Sequence, residues 1–366
     1  MELKDSHTFS KMDDVRLVYP FPAIVGQELL KRALILLAIN PKIGGLLIRG
    51  EKGSGKSTAV RALAELLPEI EVVDGCPFNC NPHDITNMCE NCRTRYLSGE
   101  KLPTKRKRMK IITLPLGATE DRVLGTIDIE AVLKEGIKAF QPGILAEANQ
   151  NILYIDEINL LPDHIVDDIL DAAASGWNTV EREGISVTHP ARFILIGTMN
   201  PEEGDLRPQL LDRLPLSVTI YGTYDERERV EIIKRNMMFI EDPINFREKY
   251  NEEIQKLRKK IEEAIALLPR VKIDDFYLMI IAKMCTKLKV DGHRPDIIIA
   301  ITAKTNAAFE GREEVKIEDV EIASLLALGH RTRSGGYEEP ATPNQIRSAL
   351  VEAAKEIEKF FREDKR

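Results

Sequence analysis

The chain has 366 residues, 43% of them hydrophobic, which is more than one core ordinarily organises, so two packed units are expected. Its 52 Lys and Arg against 59 Asp and Glu leave a formal net charge of −7, which argues against a whole-surface attraction to nucleic acid or anionic lipid. The opening MELKDSHTFSKMDDVRL lacks the apolar core of a signal peptide, and the longest aliphatic run, ALILLAI at 33–39, is too short to span a bilayer, so a cytoplasmic protein with no membrane span is expected.

In chain order, residues 1–17 read as an N-terminal tail. From 18 to 235 short apolar runs alternate with amphipathic helical segments, the pattern of a parallel sheet covered by helices. GGLLIRG (44–50), NILYIDE (151–157) and RFILIGTMN (192–200) are nearly continuous apolar runs, as strands buried on both faces require. The charge run KLPTKRKRMK (101–110) is read as a solvated loop in preference to a binding patch. Residues 246–331 read as a helical domain, with Pro295 in the first turn of one helix. A Gly- and Pro-bearing stretch then leads to a last amphipathic helix within 341–366, expected to dock back or to mediate assembly.

GEKGSGKS, Gly50 to Ser57, fits G-x-x-x-x-G-K-[ST] and lies between a buried strand and a helix. Gly50, Gly53 and Gly55 allow the backbone to curl so that its N–H groups face phosphates, with Ser54 and Thr58 in the same segment. The following helix points its positive end at those phosphates. Lys56 reaches the β- and γ-phosphates of ATP, and Ser57 ligates Mg²⁺. About a hundred residues later the second buried strand ends in Asp156 and Glu157, two carboxylates that are costly there unless they face a metal or a reacting water. Asp156 is expected to orient the Mg²⁺ shell and Glu157 to polarise the attacking water. Asn200 ends the third strand and can bond water and γ-phosphate, although such an Asn is more often a turn residue. Arg207 and Arg213, ordinary surface arginines by themselves, become arginine-finger candidates behind these motifs. Arg294, at a helix start in the second domain, either closes over the nucleotide or is a salt-bridged helix-end arginine.

CPFNCNPHDITNMCENC (76–92) spaces Cys76, Cys80, Cys89 and Cys92 as two chelating pairs. In a reducing cytosol such a group is a metal site before it is a pair of disulfides. Structural Zn²⁺ is the preferred ion, with an iron–sulfur cluster and a redox pair as alternatives. Mg²⁺ prefers oxygen ligands and is excluded from it. Cys285 is read as a core residue.

In this order and with a helical second domain, the motifs resemble those of the AAA+ ATPases. Longer phrases, IVGQELLKRALILLAINPKIGGLLIRGEKGSGKST, LPLGATEDRVLGTIDIEAVLKEGIKAFQPGILAEAN, ILYIDEINLL and GTMNPEEGDLRPQLLDR, resemble the magnesium chelatase subunit I family over about residues 18–335. The resemblance implies an α/β AAA+ core, a parallel sheet sandwiched by helices, plus a C-terminal helical lid domain. It implies a core insertion near 111–145 and a hairpin at 176–190. Lys56 and Ser57 match the phosphate loop, Asp156 and Glu157 the second Walker motif, Asn200 the first sensor, Arg213 the finger and Arg294 the second sensor. It further implies an ATP-hydrolysing ring, expected as a hexamer. With a D-type AAA+ subunit, that ring drives insertion of Mg²⁺ or Co²⁺ into a tetrapyrrole by a separate large catalytic subunit. No D-x-S-x-S adhesion-type motif of the D subunit occurs. Two other readings share the nucleotide residues: a nucleic-acid-dependent motor related to replicative helicases, and a chaperone-like ATPase maturing another metalloenzyme.

Overall fold

The computed structural model describes residues 17–127, 140–182, 185–204, 206, 211 and 213–364. Residues 1–16 of the expected tail, residues 128–139 of the expected insertion, and Arg207 lie outside the described residues. In chain order, α1 (Glu28–Ile39), β1 (Gly45–Gly50), α2 (Lys56–Leu63) and β2 (Glu69–Val73) lead to α3 (Glu90–Leu97), β3 (Thr104–Arg108) and β4 (Ile111–Leu114). Next come α4 (Glu120–Leu124), β5 (Gly125–Ile127), β6 (Phe140–Pro142), α5 (Ile144–Ala148), β7 (Ile152–Ile155) and α6 (Asp163–Ser175). Strands β8 (Trp177–Arg182), β9 (Ile185–Pro190), β10 (Ile194–Met199) and β11 (Leu216–Ile220) follow. The remainder is helical: α7 (Glu226–Glu241), α8 (Pro243–Leu267), α9 (Asp275–Lys287), α10 (Arg294–Phe309), α11 (Ile317–Leu328) and α12 (Pro343–Asp364).

Five strands form one parallel sheet in the order β11-β1-β10-β7-β4. The three apolar runs are its centre, and their residues alternate between two cores because side chains of a strand point to opposite faces. Leu46 and Ile48 join the core with α1 and the C-terminal helices, while Leu47 joins the core with α6. Since β10 lies between β1 and β7, the residue that follows β10 is held between the loop after β1 and the carboxylates after β7. This order places the site.

The basic run 101–110 differs from the expected loop. Its centre is β3, paired antiparallel with β2 so that Arg106 stands opposite Glu71 and Arg108 opposite Glu69. Opposite charges across a strand pair are mutually favourable. The partner strand lies far earlier in the chain, so no local pattern contains the pairing.

The C-terminal helices pack on one another and on α1. Arg32 donates to Asn306 Oδ1 at 3.1 Å, and buried Asn40 donates to Thr305 Oγ1 at 2.9 Å. The last helix docks back on α9, where Lys287 pairs with Glu352 at 2.9 Å and Glu356 at 2.7 Å. After α11, fully buried His330 donates from Nε2 to the Leu214 carbonyl at 2.7 Å, tying the helical part to the segment just before β11. Helix α7 runs unbroken across residue 235, where the core was expected to end. Among the described residues no helix is long and apolar enough to cross a membrane.

Candidate functional site

The loop after β1 turns back at Gly53 (φ +79°) and Gly55 (φ +83°), a left-handed backbone that favours glycine. Gly50 has another reason to be glycine: a Cβ there would meet the Ile220 carbonyl oxygen of β11 at 2.5 Å. Gly55 caps α2, whose first N–H groups have no partner within the helix and face the loop's cavity. That cavity, of about 280 Å³, is lined by residues 52–58 together with Asp156, Glu157 and Asn200. Three separate sequence stretches therefore meet at one end of the sheet.

Lys56 Nζ lies on the loop's own carbonyls, 2.5 Å from Gly50 O and 2.7 Å from Glu51 O, and burial lowers its pKa against the pull of Asp156 and Glu157. Ser57 Oγ is 3.2 Å from each oxygen of Asp156. A hydroxyl and a carboxylate so placed are a donor set for a hard cation such as Mg²⁺. Asp156 also accepts from Tyr154 Oη at 2.9 Å and from Thr198 Oγ1 at 2.5 Å. Thr198 in turn accepts from the Glu157 N–H at 3.0 Å. Glu157 stands at φ +54°, a costly conformation for a non-glycine residue that aims its carboxylate into the cavity. Asn200 is buried and does both things open to it: it lines the cavity, and its Oδ1 accepts from the Glu202 N–H at 3.3 Å to cap the next turn.

Several residues here were not read from the sequence. Thr198 brackets the carboxylate corner, and the only local sign of it is a polar residue inside the apolar run ILIGTM. Tyr154 is fully buried with its hydroxyl on Asp156, and burial pushes its pKa up to about 12. Gln27, in VGQE at the start of α1, donates to the Ser54 carbonyl at 2.6 Å and so braces the loop. A second cavity, of about 720 Å³, continues from Ser54 and Thr58 between the α1 start, the end of β11 and α7. Tyr19, Ile24, Val25, Tyr221 and Ile233 are among its walls, an apolar continuation suited to a nucleoside.

Arg213 and Arg294 line neither cavity. Arg213 is exposed and pairs with Asp171 of α6 at 2.6 Å. Arg294 is the exposed first residue of α10. Neither is brought to the phosphate loop within this single chain.

The four cysteines converge elsewhere. All are free thiols, three of them buried, and their Sγ atoms lie within 4.8 Å of one another. Cys76 Sγ is 3.5 Å from Cys80 Sγ and 3.9 Å from Cys89 Sγ, and the Cys89 N–H donates to Cys80 Sγ at 3.0 Å. The neighbouring thiols, Cys80 first, hold Cys76 on the thiolate side, while Cys80 itself is held protonated. Cys285 is buried in α9, as a core residue.

A parallel sheet of this order, with a phosphate loop, paired carboxylates at a strand end and a helical domain after it, defines an AAA+ protein. A family model for the AAA lid domain matches residues 278–353, and one for magnesium chelatase subunit ChlI matches residues 126–227. The magnesium-chelatase subunit ChlI homolog of Methanocaldococcus jannaschii is 59% identical over 88% of each chain, and the ChlI subunit of Synechocystis is 50% identical over 95% of this chain and 94% of its own. Among solved structures, one of the complex between subunits BchI and BchD of magnesium chelatase matches at 44% identity and TM-score 0.50, covering 92% of this chain and all of the other. The chain belongs to the magnesium chelatase subunit I family of AAA+ ATPase subunits.

Proposed function

We propose that this chain is the ATP-hydrolysing motor of a class I metal chelatase, assembling as a homo-oligomeric ring, expected as a hexamer. With a D-type AAA+ partner it drives insertion of Mg²⁺ or Co²⁺ into a tetrapyrrole on a separate large catalytic subunit. The observation that carries this reading is the meeting of Lys56, Ser57, Asp156, Glu157 and Asn200 around one cavity in a member of this family. Lys56 and the N–H groups at the start of α2 bind the phosphates. Ser57 and Asp156 hold Mg²⁺, which neutralises charge on the phosphate oxygens. Glu157 takes the proton of the attacking water, which Asn200 orients against the γ-phosphate. Arg213, exposed and away from its own chain's cavity, serves the ATP of the adjacent subunit, and Arg294 approaches from the helical domain. The four thiolates hold structural Zn²⁺.

The test is reconstitution with the D-type and large subunits, scoring ATP-dependent insertion of Mg²⁺ and of Co²⁺ separately. Insertion of either ion supports the motor reading and decides the metal. Hydrolysis stimulated by single- or double-stranded DNA, with no insertion of either ion, overturns it.

A further inference from the structure

We propose that the ion held by Cys76, Cys80, Cys89 and Cys92 is the keystone of a lobe at the far edge of the sheet: it sets the position of the β5–β6 and β8–β9 hairpins and takes no part in ATP chemistry. This rests on the zinc reading above. A tetrahedral ion with Zn–S bonds of about 2.3 Å requires sulfurs about 3.8 Å apart. The Cys76–Cys80 and Cys76–Cys89 separations of 3.5 and 3.9 Å lie close to that value and all four sulfurs lie within 4.8 Å of one another, a cluster an ion can draw together, whereas a disulfide, at about 2.05 Å, does not fit.

The chelate loop has little structure of its own and supplies the middle of a small core. Phe78, inside the first chelating pair, stacks on His189 of β9 with centroids 4.9 Å apart and planes 13° apart, and meets Phe140 of β6 at 5.9 Å. Met88, Cys89 and Cys92 share that core with Val180 of β8 and Val187 of β9. Two-stranded hairpins are marginal in water unless a third element covers them. Here α4, α5 and α6 cover part of them, and a loop closed by four sulfurs fills the core that both hairpins share, so losing the ion removes that part of their support.

The lobe is also fixed at the edge of the sheet remote from the phosphates. Asn149, just before β7, donates to Phe78 O at 2.9 Å, Asn79 O at 3.1 Å and Asn87 Oδ1 at 2.9 Å. Arg192, just before β10, pairs with Asp84 at 2.9 Å. Both tethers enter where the strands begin, whereas Asp156 and Asn200 stand where they end. Strands of four and six residues separate them, by roughly 13 Å along β7 and about 20 Å along β10.

The experiment uses the purified full chain, with bound metal measured by elemental analysis and amide hydrogen exchange followed before and after a zinc chelator. About one zinc per chain is expected. Its removal should speed exchange roughly tenfold or more in residues 177–182 and 185–190 while changing ATP affinity less than about twofold. Phe78→Ala, which leaves all four sulfurs, should keep the zinc and still loosen the β8–β9 hairpin. Zinc present but hairpin exchange unchanged on its removal overturns the keystone and leaves the zinc reading standing. Gently purified protein without metal and with four titratable thiols overturns both. Zinc retained with full hairpin protection in Phe78→Ala also rejects the proposal, since the stacked ring is its route.

Discussion

The two ends of the central sheet are built on opposite plans. At the phosphate end, polar side chains are partly open and aimed by strained or left-handed backbone at Gly53, Gly55 and Glu157. Their arrangement is complete only with a ligand. At the cysteine end, three of the four thiols, Phe78 and Asn149 are buried, and Asn149 already donates to the carbonyls of Phe78 and Asn79. On the proposed motor reading, the first end is where a hydrolysis cycle would act, and the second, packed into its own small core, is remote from it. One sheet of parallel strands separates them, so chemistry and support need not compromise each other.

The largest expected effect tests that independence from the phosphate side. Glu157→Gln should bind ATP yet hydrolyse it roughly 10²- to 10⁴-fold more slowly, because only the proton acceptor is lost, whereas Lys56→Ala should lose binding as well. Zinc content and exchange in the β8–β9 hairpin should match the parent in both. Equal loss of binding in the two variants would sink the role of Glu157, and altered hairpin exchange would break the separation of the two ends. The converse test is Asn149→Ala, which takes the donor from the Phe78 carbonyl and the acceptor from the Arg192 N–H, while the Asn79 carbonyl keeps Gln150, and should cost about 2–4 kcal/mol of stability in a denaturant titration. Turnover per folded molecule should stay within about twofold.

A smaller effect comes from a contact that belongs to neither end. Burial, then Arg331 and Arg49, depress the pKa of His330 from 6.5 to about 3, against the raising influence of the Leu214 and Leu211 backbone. Native His330 is therefore neutral while the unfolded chain takes up a proton. The contribution is complete above about pH 6.5 and is lost as pH falls toward 3, at about 1.4 kcal/mol per pH unit within that window. Melting between pH 7 and 5 should accordingly weaken by about 2 kcal/mol for this group. His330→Gln should flatten that slope, leaving the share of His189, whose pKa burial also lowers. An unchanged slope in His330→Gln would show that another group is responsible.

The two ends also differed in how far they could be read from the sequence. Phosphate chemistry demands fixed residue types within one loop, so Gly53, Gly55, Lys56 and Ser57 are legible without the fold. Asp156 and Glu157 are legible because carboxylates at the end of an apolar strand need a reason. Thr198 and Gln27 are not, since each acts through a partner on a different element, and Tyr154, two residues before Asp156, reads only as one more residue of an apolar strand. At the other end the cysteine spacing is legible but its purpose is not: nothing near Phe78 announces His189, and nothing near Arg106 announces Glu71. Those pairings exist only once the chain has folded. The basic run was read as a loop for that reason.

The hydrogen bond from His330 to Leu214 gives the molecule a lever. Leu214 adjoins Arg213, while His330 stands two residues beyond the helix that ends at Leu328. A rotation of the helical part would therefore pull on the residue next to Arg213. If Arg213 serves the adjacent subunit as proposed, that one buried contact ties the helical part of each chain to its neighbour's pocket, as a single linchpin joins two moving parts.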